Sequence, residues 1–214
     1  MLNKLPNSLA LFVLLCCLAC SGGEALAADP FASKILPPPR DELLALLQGG
    51  GNVIYFRHAA TPNTADVDKT NLDNCATQRN LSDEGRAQAR GIGEAFRRLS
   101  IPVGDVLASP YCRTVDTARL AFGRAEKNMD LFSLGQPEHP DDKARAELLR
   151  KRLGTVPPPG ENTILVSHGS PLDSVAQEFL REGEAAIAQP AHDGTFRVVA
   201  RIRAEEWGEW WPAH

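Results

Sequence analysis

The chain has 214 residues, and its 23 Lys and Arg against 27 Asp and Glu give a formal net charge of −4 at pH 7. This length suits one domain with a full hydrophobic core that needs no metal or disulfide in order to fold. A mildly acidic chain is not typical of proteins that bind nucleic acid non-specifically, because such binding needs a basic surface. Any anion-binding site must therefore be a local concentration of positive charge.

The N-terminus has the features of an export signal. Lys4 precedes an apolar run over residues 9–19, which is too short to cross a bilayer. Ala25-Leu26-Ala27 offers a cleavage site of the A-x-A type, and Leu18-Ala19-Cys20 offers a competing lipoprotein site that would leave a lipid on Cys20. Both alternatives predict an exported protein, periplasmic or secreted, whose contact with a membrane is limited to an anchor at Cys20.

These features divide the chain into three segments. We expect a signal peptide over residues 1–28, a leader over residues 29–40 that contains three consecutive prolines, and one folded domain over residues 41–214. Consecutive prolines favour a stiff, extended leader. The sequence contains no internal repeat and no low-complexity segment.

Two cysteines, Cys75 and Cys112, lie clearly beyond the presequence. In an oxidising compartment two remaining cysteines tend to pair, so we predict a disulfide between them. It would tie a polar loop to the segment that holds Arg113. The alternative is a pair of buried free thiols.

Hydrophobic periodicity predicts alternating strands and helices. The predicted strands cover residues 52–56, 105–108, 130–134 (an edge strand), 163–167 and 195–203. The predicted helices cover residues 41–48, 82–99, 111–122, 141–153 and 172–181. Residues 59–80 are polar without periodicity and are predicted to form a long functional loop. This order predicts an α/β fold, a three-layer α/β/α sandwich with a mainly parallel central sheet.

Two apolar strands end in residues suited to chemistry. Val53-Ile54-Tyr55-Phe56 leads into Arg57-His58, and Ile164-Leu165-Val166-Ser167 leads into His168-Gly169. Parallel strands in α/β proteins are apolar because both faces are buried, and the functional site lies beyond their carboxyl ends. We therefore predict one anion site that contains both histidines and the arginine.

A phosphoryl group is the anion that fits these residue types. Arginine binds two phosphate oxygens at once and stays charged. A histidine near neutral pH has an unprotonated ring nitrogen that can attack phosphorus, and a second histidine can donate to a non-bridging oxygen. Loop amides and helix starts supply further donors. The pattern indicates phosphoryl transfer to a histidine and then to water, which is mostly an electrostatic task.

Three short motifs occur in order, each after an apolar run: Arg57-His58-Ala59, the stretch from Ser109-Pro110 through Arg113 to Ala118, and His168-Gly169. Together they resemble the signatures of the histidine phosphatase superfamily, whose founding members are cofactor-dependent phosphoglycerate mutases and phosphatases. Ala59 replaces the glycine of the first signature. Asn80-Leu81-Ser82-x-x-Gly85 also resembles the family's usual entry to its first long helix. The similarity covers residues 52–203 and implies a phosphoglycerate mutase-like fold.

The resemblance implies a role for each motif residue. His58 would accept the phosphoryl group, and Arg57 and Arg113 would bind the phosphate. His168 would donate a hydrogen bond to it and help to stabilise the transition state. The residues expected to line the pocket or contact substrate are Thr61, Arg79 and Gly169.

The resemblance also implies a general acid. Many family members use a glutamate between the second arginine and the second histidine to protonate the leaving oxygen. The candidates here are Glu138, Asp141 and Asp142, and we select Glu138. Asp116 is a further possibility, although its position on a helix suggests a structural hydrogen bond.

The implied activity is that of an exported phosphatase that hydrolyses phosphomonoesters through a phosphohistidine on His58, without a metal or other cofactor. Its substrate would be a phosphorylated small molecule or a phosphorylated envelope component. Zinc between His58 and His168 does not fit, because the flanking arginines would repel it and no further ligand has suitable spacing. Two alternatives stay open: a catalytically inactive periplasmic protein of this fold that binds a phosphorylated ligand, and a phosphomutase.

Overall fold

The computed structural model describes residue 1, residue 31 and residues 33–135 and 141–209. Apart from Met1, the expected signal peptide with Cys20 lies outside the described residues, and so does the candidate acid Glu138. The described chain forms six strands and six α-helices. None of the helices in this part of the chain is long and apolar enough to span a bilayer.

A six-stranded sheet forms the middle layer. Its strands are β1 Val53–Arg57, β2 Val103–Ala108, β3 Glu126–Lys127, β4 Asn162–Ser167, β5 Ala185–Pro190 and β6 Phe196–Ile202. Their order across the sheet is β3-β2-β4-β1-β5-β6. β5 pairs antiparallel with both β1 and β6, whereas the other pairs are parallel. The prediction of a mainly parallel sheet is confirmed.

Helices cover both faces of the sheet. They are α1 Arg40–Gly49, α2 Asp83–Arg98, α3 Cys112–Phe122, α4 Asp142–Leu153, α5 Gly169–Ala176 and α6 Glu206–Glu209, with short 3₁₀ helices at Cys75–Thr77 and Met129–Leu131. Ile54 and Phe56 of β1 belong to a core shared with α1, α2, α3 and α6, while Val53 and Tyr55 belong to a core shared with α4 and α5. Alternate residues of one strand therefore pack in the cores on opposite faces of the sheet. The predicted three-layer sandwich is confirmed.

Two predicted elements are wrong in position. An edge strand was expected over residues 130–134, but the observed edge strand is β3 at Glu126–Lys127. Met129–Leu131 forms a 3₁₀ turn, because the Asn128 side chain accepts a hydrogen bond from the main-chain nitrogen of Asp130. A helix was expected over residues 172–181, but α5 covers Gly169–Ala176. It ends early because Gln177 adopts the left-handed conformation with φ of 56°.

Strand β5 is absent from the sequence prediction. Its residues, Ala185–Pro190, include three alanines and a proline, which are residue types depleted in strands. The three alanines lie between β1 and β6 and are at most 1 % exposed. Their place in the sheet is set by pairing with both neighbours, which outweighs their weak intrinsic preference.

Helices α2 and α3 approach each other closely at a glycine. Gly93 lies on the buried face of α2, and a Cβ at this position would overlap the main-chain carbonyl of Ala121 in α3. The missing side chain lets the two backbones come together. Gly91 on the same helix is exposed, and a Cβ there would meet nothing within 4 Å.

Replacing Gly93 with alanine should lower the free energy of unfolding by about 1–3 kcal/mol, because the added methyl must push α3 away. Gly91→Ala is the matched control, and it should raise the free energy of unfolding by about 0.5–1 kcal/mol through helix preference alone. Urea unfolding measures both. Equal effects of the two substitutions would contradict the close contact at Gly93.

Candidate active site

Neighbouring parallel strands bring the two histidines together. Arg57 at the end of β1 is in register with Ser167 at the end of β4, so His58 and His168 follow at the same edge of the sheet. The main-chain nitrogen of His58 donates to the Ser167 carbonyl at 2.9 Å. The two imidazole centroids are 5.6 Å apart, and the residues are 2 % and 4 % exposed. The histidines therefore form one buried pair.

His58 presents a free ring nitrogen. Its Nδ1 lies 2.9 Å from the carbonyl oxygen of Ala59. Because a carbonyl oxygen only accepts, Nδ1 carries the proton and Nε2 keeps its lone pair. Burial, and then the charges of Arg113 and Arg57, hold the pKa of His58 well below its ordinary value. A neutral imidazole with a free Nε2 is a nucleophile at neutral pH.

His168 is held by Ser109 and Tyr55. Its Nε2 lies 2.9 Å from Ser109 Oγ, and its main-chain carbonyl accepts a hydrogen bond from the Tyr55 hydroxyl at 2.7 Å. Burial, followed by the charges of Arg113 and His58, holds the pKa of His168 well below its ordinary value. The ring is therefore neutral in the free protein, and a bound dianion would draw it toward its charged, donating form.

Arg57 is fixed by residues of the segment that follows α5. Its Nη1 donates to the Leu180 carbonyl at 2.8 Å, and its Nη2 lies 3.6 Å from Glu182 Oε1. The guanidinium carbon is 5.3 Å from the centroid of the Phe179 ring. The Nε of Arg57 is buried and has no hydrogen-bond partner in the described part of the chain. Such an unpaired N–H on a cation is a ready donor for an anion.

Arg113, in the first turn of α3, repeats this pattern. Its Nη1 donates to Asp66 Oδ1 at 3.0 Å, and its guanidinium carbon lies 4.3 Å from the centroid of the Tyr111 ring. Its Nε is also buried without a partner among the described residues. Both arginines thus have one carboxylate on an Nη atom and an Nε–H left to donate.

The polar loop over residues 59–80 adds a further charge and a covalent tie. The main-chain nitrogen of Arg79 donates to Asp66 Oδ1 at 2.8 Å, and the charge of Arg79 helps to lower the pKa of both histidines. A disulfide joins Cys75 in this loop to Cys112, the first residue of α3. The predicted pairing is confirmed, and it fastens the loop to the middle motif at the start of α3.

Thr61 and Gly169 make supporting contacts. Thr61 donates from its main-chain nitrogen and its Oγ1 to the Glu182 carboxylate at 2.9 and 2.8 Å. Gly169 faces Phe179, and a Cβ at this position would lie 2.8 Å from the ring. The glycine therefore makes room for the aromatic ring that stacks with Arg57.

Ala59 is accommodated where the family signature has glycine. Its side chain packs with Leu81 and Ala89, and its main-chain nitrogen donates to Thr117 Oγ1 at 3.0 Å. Its φ is not positive. Glycine is needed where φ is positive or space is absent, and neither holds here.

Sequence analysis did not single out several residues that contact the cluster, among them Asp66, Ser109, Thr117 and Glu182. Ser109 and Thr117 belong to the middle motif, so the motif could have identified them. Asp66 and Glu182 lie in irregular segments without any sequence signal that relates them to the arginines.

The structure does not bring Asp141 or Asp142 to the histidines. Asp142 accepts a hydrogen bond from the main-chain nitrogen of Gly135 at 2.9 Å and pairs with Arg145 at the start of α4. Asp141 is exposed beside it. Glu138 lies outside the described residues, so its role as the general acid stays a prediction.

Several solved structures share this fold. The protein histidine phosphatase SixA complexed with tungstate is 15 % identical, with a TM-score of 0.52 over 72 % of this chain and 97 % of its own. A mycobacterial glucosyl-3-phosphoglycerate phosphatase complexed with VO3 is 17 % identical, with a TM-score of 0.52 over 71 % and 98 %. A mutant phosphoserine phosphatase from Entamoeba histolytica is 13 % identical, with a TM-score of 0.50 over 72 % and 98 %. At these identities the likeness shows the fold.

The family model of the histidine phosphatase superfamily (branch 1) matches residues 53–132, the stretch from β1 to the second 3₁₀ helix. The match covers the first and the middle motif, and the solved structures share the fold of the whole domain. No curated protein matches the sequence. The matched stretch contains Arg57, His58 and Arg113, and His168 of the same cluster lies beyond it.

The free energy of unfolding should fall as the pH drops below about 6.5. In the unfolded chain His58 and His168 take up protons near that pH, whereas the folded protein holds their pKa values lower, so the unfolded state binds more protons. Each histidine should contribute about 1.4 kcal/mol per pH unit within that window. Urea unfolding at a series of pH values measures this slope.

The double variant His58→Asn with His168→Asn should lose that part of the slope. His192→Asn, at an exposed position, is the control and should keep the wild-type slope. A double variant with an unchanged slope would contradict the burial of two neutral imidazoles.

Proposed function

We propose that this protein is a phosphatase that hydrolyses phosphomonoesters through a phosphohistidine intermediate on His58. The observation that carries the proposal is the unprotonated Nε2 of His58 in a buried cluster where the Nε–H groups of Arg57 and Arg113 have no partner among the described residues. This arrangement places a nucleophile beside donors suited to an anion. The match of residues 53–132 to the family model of the histidine phosphatase superfamily supports the same chemistry.

In the first step the lone pair on His58 Nε2 attacks phosphorus. An N–P bond forms, and the P–O bond to the leaving group breaks with its electron pair on the leaving oxygen. Arg57 and Arg113 stabilise the charge on the non-bridging oxygens, and His168 donates to one of them. These donors are held in place before the substrate arrives, so they need little reorganisation in the transition state.

In the second step a water molecule attacks phosphorus, and the electron pair of the N–P bond returns to Nε2. The leaving oxygen gains a proton in the first step, and the water loses one in the second. We assign both transfers to Glu138. Asp66 and Glu182 suit this task less well, because both already accept hydrogen bonds from arginine or main-chain donors.

We also propose that the enzyme works outside the cytoplasm on a phosphorylated small molecule or a phosphorylated envelope component. The export signal expected over residues 1–28 supports this location. The disulfide between Cys75 and Cys112 supports it too, because structural disulfides are typical of oxidising compartments. The arginines supply the positive charge that phosphoryl transfer needs, so the proposal includes no metal or other cofactor.

Wild-type protein should hydrolyse p-nitrophenyl phosphate, and His58→Ala should lower kcat by roughly a thousandfold or more, because the nucleophile is lost. When a reaction with a labelled phosphomonoester is quenched during turnover, the peptide that contains His58 should carry an acid-labile label. Rate measurements and peptide mapping together check both statements.

His192→Ala, at an exposed position, is the control and should keep the wild-type rate. No wild-type activity above that of His58→Ala between about pH 4 and 8 would favour the inactive phospho-ligand binding protein. Transfer of the label to a second phosphorylated compound instead of water would favour the phosphomutase.

Arg113→Ala should raise the inhibition constant for inorganic phosphate by roughly tenfold or more and lower kcat/KM, because a charge-assisted contact is lost. Arg119→Ala on the exposed side of the same helix is the matched control and should change neither value. Inhibition by phosphate and by vanadate measures the effect. Unchanged inhibition in the Arg113 variant would show that this guanidinium does not face the phosphate.

A further inference from the structure

Residues 177–184, the clamp loop, connect α5 to β5 and bind the main chain of the site. The main-chain nitrogen of Arg57 donates to the Glu184 carbonyl at 3.1 Å. The main-chain nitrogen of Gly183 donates to the His58 carbonyl at 2.9 Å. The clamp loop therefore holds the backbone of the nucleophile and of the arginine before it.

The clamp loop also holds the Arg57 side chain. The hydrogen bond to the Leu180 carbonyl, the ion pair with Glu182 and the ring contact with Phe179 all come from this loop. These three contacts hold the guanidinium whose Nε–H has no partner among the described residues. The position of Arg57 thus depends on the conformation of the clamp loop.

A buried ion triad fixes both ends of the clamp loop. Arg201 on β6 donates from Nε and Nη2 to the Glu184 carboxylate at 2.9 and 2.7 Å, and from Nη1 to Glu178 at 3.0 Å. The three side chains are between 4 % and 9 % exposed. The clamp loop contains no helix or strand. The hydrogen bonds from the Arg201 guanidinium therefore replace those that regular secondary structure would supply.

The segment before α1 contacts the clamp loop as well. The ring centroids of Phe31 and Phe179 are 5.6 Å apart, and Ser33 Oγ donates to Glu178 at 3.2 Å. Phe179 therefore contacts both Phe31 and the Arg57 guanidinium. These contacts add support to the clamp loop at the same two residues, Glu178 and Phe179, that Arg201 contacts.

We propose that Arg201 is a positioning residue for phosphate binding, which acts on Arg57 through the clamp loop. The hydrogen bonds of Arg201 go to Glu178, Phe179 and Glu184, so its effect on the site is indirect. Small displacements of a binding group have large effects on affinity and rate, because the geometry must fit the phosphoryl group closely. The inference rests on the proposed function, since it assumes that Arg57 binds the phosphoryl group.

A double-mutant cycle with Arg57 tests this inference. Calorimetry with inorganic phosphate gives Kd for wild type, Arg201→Met, Arg57→Ala and the double variant. Arg201→Met should raise Kd about tenfold in the wild-type background and leave it unchanged in the Arg57→Ala background, because both substitutions remove the same contact. Arg201→Lys keeps the charge and should restore part of the affinity.

Arg197→Met is the matched control, because Arg197 lies on the same strand and its hydrogen bond goes to Gln189. It should bind phosphate as wild type does. If Arg201→Met does not fold, Arg201→Lys takes its place in the cycle, with a smaller increase in Kd that must also vanish without Arg57.

The outcomes distinguish the proposed function from the positioning role of Arg201. Wild type that binds no phosphate would overturn the proposed function and this inference with it. Wild type that binds phosphate, with equal effects of the Arg201 substitution in both backgrounds, would overturn the positioning role alone. Loss of thermal stability without any change in Kd would likewise show a purely structural role.

Discussion

The parallel pairing of β1 with β4 is the interaction on which the site depends. Its register sets Arg57 opposite Ser167, so the next residue on each chain is a histidine at the same edge of the sheet. A shift of one residue would turn every side chain of β1 to the opposite face. The register is fixed because Val53 and Tyr55 pack in one core, while Ile54 and Phe56 pack in the other. Core packing on both faces therefore sets the distance between the histidines.

Burial of positive charge is the second constraint on the site. Unpaired charges are unfavourable in a protein interior, and Arg57 and Arg113 are offset by one carboxylate each, Glu182 and Asp66. Neutral imidazoles avoid two further positive charges in the same space. A tetrahedral dianion would add negative charge and accept from the unpaired Nε–H groups. The cluster is thus complementary to a phosphoryl group in charge as well as in hydrogen bonding.

The fold was predictable from sequence where the pattern is local. The strands before His58 and His168 each contain a run of large apolar residues that fits a sheet buried on both faces, and the Ser82 cap marks the start of α2. Strand β5 was not predictable, because alanines have little strand preference and only its neighbours β1 and β6 place it in the sheet. Its absence from the prediction also hid the clamp loop, whose residues were assigned in part to a longer helix.

The residues of the candidate site also fall into a group that the sequence predicts and a group that it does not. The motif residues are predictable because each lies at the end of a strand or within a few residues of it. Asp66, in contrast, contacts Arg113 from 47 residues away, and Glu182 contacts Arg57 from beyond the last motif. Each carboxylate belongs to an irregular segment that is fastened independently, one by a disulfide and the other by Arg201. Fastening reduces the conformational entropy that binding would otherwise lose. The family signature thus identifies the arginines, but residues outside the signature determine how they are held before a substrate binds.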